Sequence, residues 1–239
     1  MKLLGIDFET NGPEPTTCDI TEAAWVVYDT DFGNKPVVSR CFFNNEVKVM
    51  DPVAEKITGI TIKQCQTYGI PRDAIGSVLA EDIKEYNPDF LVAHNAHGFD
   101  RIILERLIPE AKENGPWIDT MEDLPTHTYE RLGTRTLEFM AARSGFLNPF
   151  PHAALPDVMT MMKLLFMEDI AIVAERSKIP TVTIAADVSF QNKDLAKGRG
   201  YYWENVRGKK YPKKWVKRMK QDEVETEQAE APFGVAIID

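Results

Sequence analysis

Apolar and polar positions along this chain switch between two periods, and the switch points mark its elements. KLLGIDFE at residues 2–9 is an apolar run interrupted by acids, and it leads into the turn-rich TNGPEPTT, the pattern of a strand feeding a loop. ITEAAWVVYD and VVSRCFFNNEV are two more runs rich in Val, Ile and aromatics. The DTDFGNKP between them has hairpin turn chemistry, so three consecutive strands are expected. From Asp51 to Tyr86 the period becomes helical, with breaks at Gly59, Gly69 and Pro71. DFLVAHN then returns to a short apolar strand, and FDRIILERLIPEA places Ile102, Ile103, Leu107 and Ile108 at helical spacing, which makes a βα unit. RTLEFMAARSG reads as an amphipathic helix stopped by Gly145. After the loop FLNPFPHAAL, the segment DVMTMMKLLFMEDIAIVAERS reads as one helix whose methionines fill core space.

Three strands, helices, a strand, a helix, a strand or loop, and further helices predict an α/β fold, a mixed central sheet with helices on both faces. The character changes near residue 179. A strand AADVSF, a turn or short helix KDLAKGRG, an aromatic segment YYWENV, a basic helix KKWVKRMK and an edge strand in PFGVAIID predict a small C-terminal α+β module. The expected units are residues 1–178 and 179–239, with no internal repeat.

Composition sharpens this picture at a few points. The 239 residues contain no apolar stretch near the roughly 18 that a membrane helix needs. Asp7 and Glu9 interrupt the N-terminal apolar run before a signal-peptide core forms. Cys18, Cys41 and Cys65 are odd in number and widely spaced, which suggests neither a disulfide framework nor a zinc site. The expected setting is a reducing cytoplasm, of a bacterium or a phage-infected cell. No heptad pattern is evident, so a monomer is the default. The net charge of −9 runs against a polyanionic partner, but Lys193 to Lys220 carries eleven Lys or Arg against Asp194 and Glu204. The rest of the chain therefore has twice the acidic excess of the whole. Asp222, Glu223, Glu225, Glu227, Glu230 and Asp239 meet no cation in the tail, and they are expected to be solvated.

Asp7 and Glu9 stand two apart on a strand, so both point to one face and can meet a common ion. Hard oxygen donors select Mg²⁺ or Mn²⁺ over zinc. Taken alone, the pair reads more readily as two acids at a hydrated strand end. LVAHNAHGFDRIIL places Asp100 at the start of a helix after a buried strand, and HAALPDVMTMMKLL places Asp157 five residues after His152.

In DFET, NAHGFD and HAALPD, in that order and at those separations, the chain resembles the DEDDh 3′→5′ exonucleases over roughly residues 3 to 170. That family includes polymerase proofreading subunits, exonuclease X and oligoribonuclease. The resemblance implies an RNase H-like fold, with Asp7, Glu9, Asp100 and Asp157 as ligands of two divalent ions, Mg²⁺ or Mn²⁺, and His152 as general base. Imidazole suits that role because it ordinarily titrates near neutral pH. It further implies 3′-nucleotide contacts from Phe8, Thr10, Asn11, Gly12, Asn95 and Phe99. Relatives carry a His-Gly-Ile/Leu-Thr segment against the terminal base; here Thr58-Gly59-Ile60-Thr61 stands there, which makes Ile60 the expected contact. His94 and His97 are read as hydrogen-bonded strand-end residues, and His127 has no motif around it. Pro156 before Asp157 requires that both lie in a first helical turn.

The implied activity is removal of nucleotides from 3′ ends, with single-stranded DNA as the expected substrate and a polymerase or other DNA-processing protein as an expected class of partner. An exoribonuclease acting on RNA or short oligonucleotides is the alternative within the same chemistry. A nucleic-acid-binding module built on a nuclease fold is the alternative outside it. Phe190, Tyr201, Tyr202, Trp203, Tyr211 and Trp215 lie among the C-terminal cations, as in a single-strand binding surface. Buried tryptophans with exposed tyrosines would serve both a core and such a surface.

Overall fold

The structure is a computed structural model and describes residues 1–110, 115–125, 135–204 and 213–238. His127, Tyr211 and part of the basic segment lie outside the described residues.

The opening strands form as their patterns predict. β1 (Lys2–Thr10), β2 (Ile20–Asp29) and β3 (Pro36–Phe43) make an antiparallel meander. The β2–β3 turn holds a 3₁₀ segment, with Asp29 accepting from Asp31 N–H and Gly33 at φ +88°. Three short-to-medium helices follow, α1 (Pro52–Thr58), α2 (Ile62–Tyr68) and α3 (Arg72–Tyr86). Asp51 caps the first and Thr61 the second, each accepting from a first-turn N–H. Gly59 ends α1 in the left-handed region at φ +70°.

β4 (Phe90–Ala93) and α4 (Asp100–Leu107) are the expected βα unit. β5 (Trp117–Asp119) and the single turn α5 (Thr120–Asp123) come next. The chain continues through α6 (Leu137–Arg143), α7 (Ala154–Leu165) and α8 (Ile170–Ser177). The long helix expected from Asp157 onward is in fact two, because the Asp169 carboxylate accepts from Ala171 and Ile172 N–H and starts a second one. α7 also begins at Ala154, which places Pro156 and Asp157 in its first turn, where proline's missing N–H costs nothing.

The main sheet has the order β3-β2-β1-β4-β5, antiparallel up to β1 and parallel from β1 to β5. Alternate residues of its central strands feed two cores. On one face Leu3, Val26, Val92 and Ile118 pack against Val158, Met161 and Met162 of α7 and Val173 of α8. On the other, Leu4, Ile6, Trp25 and Leu91 pack against Ile75 and Leu79 of α3 and Ile103 and Leu104 of α4. Burial on both faces explains why ITEAAWVVYD lacks a polar stripe. Met161 and Met162 are core, as expected of the methionine-rich helix.

A second sheet, order β7-β8-β6-β9, contains β6 (Thr181–Asp187), β7 (Tyr202–Glu204), β8 (Lys214–Lys220) and β9 (Gly234–Ile237). It carries α9 (Lys193–Gly198) and α10 (Val224–Glu230). KKWVKRMK is therefore a strand and not the expected basic helix. Pairing to β6 and β7 on either side, with Trp215 and Val216 suited to a pleated surface, overrides its helical propensity. PFGVAIID does supply an edge strand. The expected division of aromatics is corrected too. Tyr201 is buried and donates to Glu227, while Trp203 is 52% exposed and leans on Trp215 at 5.3 Å between ring centroids. Nor is the acidic tail simply solvated: Glu227 is buried and takes both arms of Arg199 at 2.9 Å, with Lys217 at 3.8 Å. Glu223 pairs with Arg176 of α8, Arg218 with Glu122 at 3.2 Å and Lys220 with Asp123 at 2.5 Å, and these pairs join the second sheet to the first unit.

Gly5 lets α7 lie close over β1. A Cβ there would stand 2.9 Å from Met162 Cγ and Sδ and 3.0 Å from Val158 Cγ1. Gly5→Leu should lower stability by about 1–3 kcal/mol, the usual cost of overpacking a core, measured as a reduced urea midpoint at unchanged slope.

Candidate active site

Asp7 and Glu9 occupy alternate positions at the carboxyl end of β1, opposite Ala24 and Glu22 of β2. The β1–β4 ladder covers only Leu3–Gly5 against Phe90–Val92. Beyond it the carboxyl ends of the parallel strands diverge, the usual place for a ligand crevice in such a sheet. Two helix N-termini reach this end. Asp100 opens α4, and its Oδ1 accepts from Phe8 N–H at 3.1 Å, which ties the helix to β1 between the two strand acids. Asp157 sits in the first turn of α7, accepting from the Asn148 side-chain amide and from His152 N–H at 3.1 Å.

His152 is exposed and takes a left-handed backbone, φ +62°, uncommon for a residue with a side chain. That conformation turns its N–H onto Asp157 while its ring stands at the site. Ligand atoms of Glu9, His152 and Asp157 lie within 4.8 Å of one another. Asp100 is 2% exposed, and Asp7, whose Oδ2 is enclosed, feels Asp100, Glu9 and Asp157 together.

These acids perturb one another strongly. Burial first, and then Asp100, Glu9, Asp157 and Glu22 in turn, hold the Asp7 carboxyl well above the usual carboxylate range. Burial, Asp157, Glu22 and Glu138 push Glu9 up to about 8. Burial raises Asp157 to about 6 against the opposing Asn148 hydrogen bond. Asp7 Oδ2 is buried without a hydrogen-bond partner. Clustered carboxylates with an orphaned buried oxygen fit a hard divalent cation, which neutralises the group and coordinates that oxygen. Asp7, Glu9, Asp100 and Asp157 are the residues that would hold it.

The sequence profile of the exonuclease family, RNase_T, matches residues 4–165, a span that holds all five of these side chains. The chain belongs to that family. This exonuclease-family chain is also similar in fold to solved structures of Escherichia coli exonuclease I. A zinc-bound complex of that enzyme with single-stranded DNA superposes with a TM-score of 0.64 at 16% identity, over 82% of this chain and 50% of that one. A complex with a dA16 oligonucleotide gives 0.62 at 16%, over the same shares of the two chains. A complex with a 5cy-dA13 oligonucleotide gives 0.62 at 14%, over 92% and 63%. The chain thus spans about half the length of the first of these. No curated protein sequence matches it.

The other expected contacts divide. Beside Glu9 lies a cleft of about 350 Å³ whose walls include Thr10, Val53, Ala54, Ile57 and Phe99. Gly12 also lines it. Ile60 is not in this cleft: it is 4% exposed and packs with Val47 and Cys65 in a separate small core. Three residues earlier, at the end of α1, Ile57 is 52% exposed and supplies the apolar wall expected of Ile60. The Phe8 ring is buried in the α3–α4 core, so this residue serves the site through its N–H on Asp100. Asn11 holds the loop by donating to Val49 O and accepting from Asp19 N–H. Asn95 is exposed at φ +65°, and its N–H donates to Asp119. His94 uses both ring nitrogens, on Thr120 and on Arg135 O, and burial lowers its pKa to about 4; it is the hydrogen-bonded residue expected.

Sequence reading missed Glu22. It faces Glu9 across the β1–β2 ladder, and its carboxylate accepts from Ala154 N–H at 2.8 Å and from Cys41 Sγ at 3.3 Å, which fixes the start of α7. The signal was present, an acid near the start of the largely apolar run ITEAAWVVYD.

The charge cluster has a thermal consequence. Glu9 is raised from 4.5 to about 8 on folding, so between those values the folded state holds the extra proton, and stability falls as pH rises through that window. Metal-free protein should therefore lose melting temperature between pH 6 and pH 8.5, and Glu9→Gln should flatten that decline. Added Mg²⁺ or Mn²⁺ should raise the melting temperature at pH 8, and Asp7→Asn should abolish the rise. Differential scanning fluorimetry measures all three, and a metal response retained by Asp7→Asn would remove Asp7 from the ligand set.

Proposed function

We propose that this chain is a metal-dependent 3′→5′ exonuclease that releases nucleotides from the 3′ ends of single-stranded DNA. The observation that carries the reading is the meeting of Glu9, His152 and Asp157 within 4.8 Å at the end of the strand that bears Asp7, with Asp100 tied to the same strand by Phe8 N–H. Two divalent ions, Mg²⁺ or Mn²⁺, would supply a water of lowered pKa and stabilisation of the leaving oxygen. The chain's own part is positioning and proton handling. Asp7 and Glu9 present oxygens from a rigid strand, while Asp100 and Asp157 do so from helix first turns, which favour negative charge. His152, exposed at the rim and anchored through its N–H to Asp157, takes the proton of the attacking water at a ring nitrogen. The cleft of Thr10, Val53, Ile57 and Phe99 accepts the terminal nucleoside, an apolar enclosure next to the acids.

Single-stranded DNA is favoured as substrate by two observations. The similar exonuclease I structures hold single-stranded DNA or oligonucleotides. The second unit also exposes Phe190, in a 3₁₀ turn after β6, at 75% and Trp203 of β7 at 52%, with Lys193 over the Phe190 ring at 4.0 Å and Lys197 over Trp215 at 5.7 Å. Aromatic faces stack on unpaired bases, and neighbouring lysines follow the phosphates.

The test is digestion of 5′-labelled single-stranded DNA, duplex DNA and RNA with Mg²⁺, Mn²⁺ or EDTA. Wild type should give a metal-dependent ladder, fastest on single-stranded DNA, and Asp7→Asn should give none. His152→Ala should slow the ladder by about 10²–10⁴-fold, the usual worth of a positioned base. Full activity in His152→Ala would end its assignment as base, and a ladder on RNA alone would make the enzyme an exoribonuclease.

A further inference from the structure

We infer that Lys220, at the end of the second sheet, is a positioning residue for the exonuclease site, acting through Asp123 and Asp119 on the loop that presents Asp100. The inference rests on the activity proposed above.

The chain of contacts is continuous and buried. Lys220 is 3% exposed, and its Nζ lies 2.5 Å from Asp123 Oδ1 and donates to Ile179 O at 3.0 Å. Asp123 is 1% exposed, and its Oδ2 accepts from Asp119 N–H at 2.7 Å. Asp119, also 1% exposed, accepts from Asn95 N–H at 2.9 Å and Met121 N–H at 3.0 Å through Oδ1, and from His97 N–H at 3.3 Å through Oδ2. Asn95 O in turn accepts from Gly98 and Phe99 N–H, and Phe99 is the residue before Asp100. One carboxylate thus fixes the β4–α4 loop at two amides, and the turn within that loop sets where α4 starts.

The arrangement needs a cation. Asp119, Glu122 and Asp123 fall within five residues, two of them fully enclosed, and such a group stays packed only when its charge is answered. The second sheet provides the answer, with Lys220 on Asp123 and Arg218 on Glu122 at 3.2 Å. The two ion pairs differ. Arg218 is 47% exposed and shielded by water, while Lys220 is enclosed and is the one joined to Asp119 through Asp123. Close approach within the loop leaves little slack, since a Cβ on Gly98 would stand 2.5 Å from Asn95 Oδ1. A shift of Asp119 therefore moves the loop and with it Asp100.

The experiment uses the full chain with Lys220→Met, Lys220→Met/Asp123→Asn and Arg218→Ala, each assayed below its own melting temperature. Lys220→Met should lower kcat on single-stranded DNA by about 10–100-fold, the usual effect of losing a group that orients a metal ligand. KM for the oligonucleotide should stay near wild type, while the metal concentration giving half activity rises. Amide hydrogen exchange at Asn95 and His97 should speed up in the same variant. Removing the stranded charge in Lys220→Met/Asp123→Asn should restore much of the activity and the amide protection. Arg218→Ala should keep near-wild-type kcat. A folded Lys220→Met with wild-type kcat and unchanged exchange at Asn95 and His97 overturns the inference. So does an equal loss in Arg218→Ala, which would show a general need for docking. Wild type inactive on every substrate would instead strike the proposed activity, and amide exchange alone would then decide the link from Lys220 to the loop.

Discussion

Mutual repulsion among carboxylates at one strand end is the constraint to which this structure answers. Asp7, Glu9, Asp100 and Asp157 stand in a site where burial already disfavours their charged forms. Left to themselves they would drift toward water. They are held by groups that have their own reasons to stay: β1 is paired along its length to β2, α7 is seated on Gly5, and α4 is tied by Phe8 N–H. Side-chain hydrogen bonds do the fine adjustment, Asn148 on Asp157 and Glu22 on the first amide of α7. Stability given up at this point is what prepares the site for a cation, a local conflict that the rest of the fold resolves.

Much of this was legible in the sequence. The antiparallel meander, the βα unit ahead of Asp100 and the helix bearing Asp157 follow from periodicity and turn residues. Side chains spaced by two on a strand or opening a helix are placed by local geometry, which is why the acids were found. The failures share a physical cause. KKWVKRMK became a strand because β6 and β7 flank it. Ile60 and Ile57 differ by less than one turn, and tertiary packing decides which of them is buried. The short β5 and α5, seven residues together, carry too little pattern to register as more than a strand or loop. Glu227 looked like part of a hydrated tail because its partners Arg199 and Lys217 are distant in sequence.

The second sheet is more than an appendage in this structure. Lys220 is buried on Asp123 of the first unit, and Arg176 of α8 reaches back to Glu223. The two parts thus exchange charged groups in both directions. Such pairing fixes orientation even where its net stabilisation is small.

The pairing of the tail with Arg199 and Lys217 bears on how the protein meets a polyanion. Cations already neutralised by Glu227 and Glu230 release few counterions when nucleic acid arrives. Among the described cations, Arg199 and Lys217 are therefore engaged within the second unit, while Lys193 and Lys197 stand over the Phe190 and Trp215 rings. A polyanion reaching this face would meet Lys193 and Lys197 beside the rings, and not the cations that Glu227 holds.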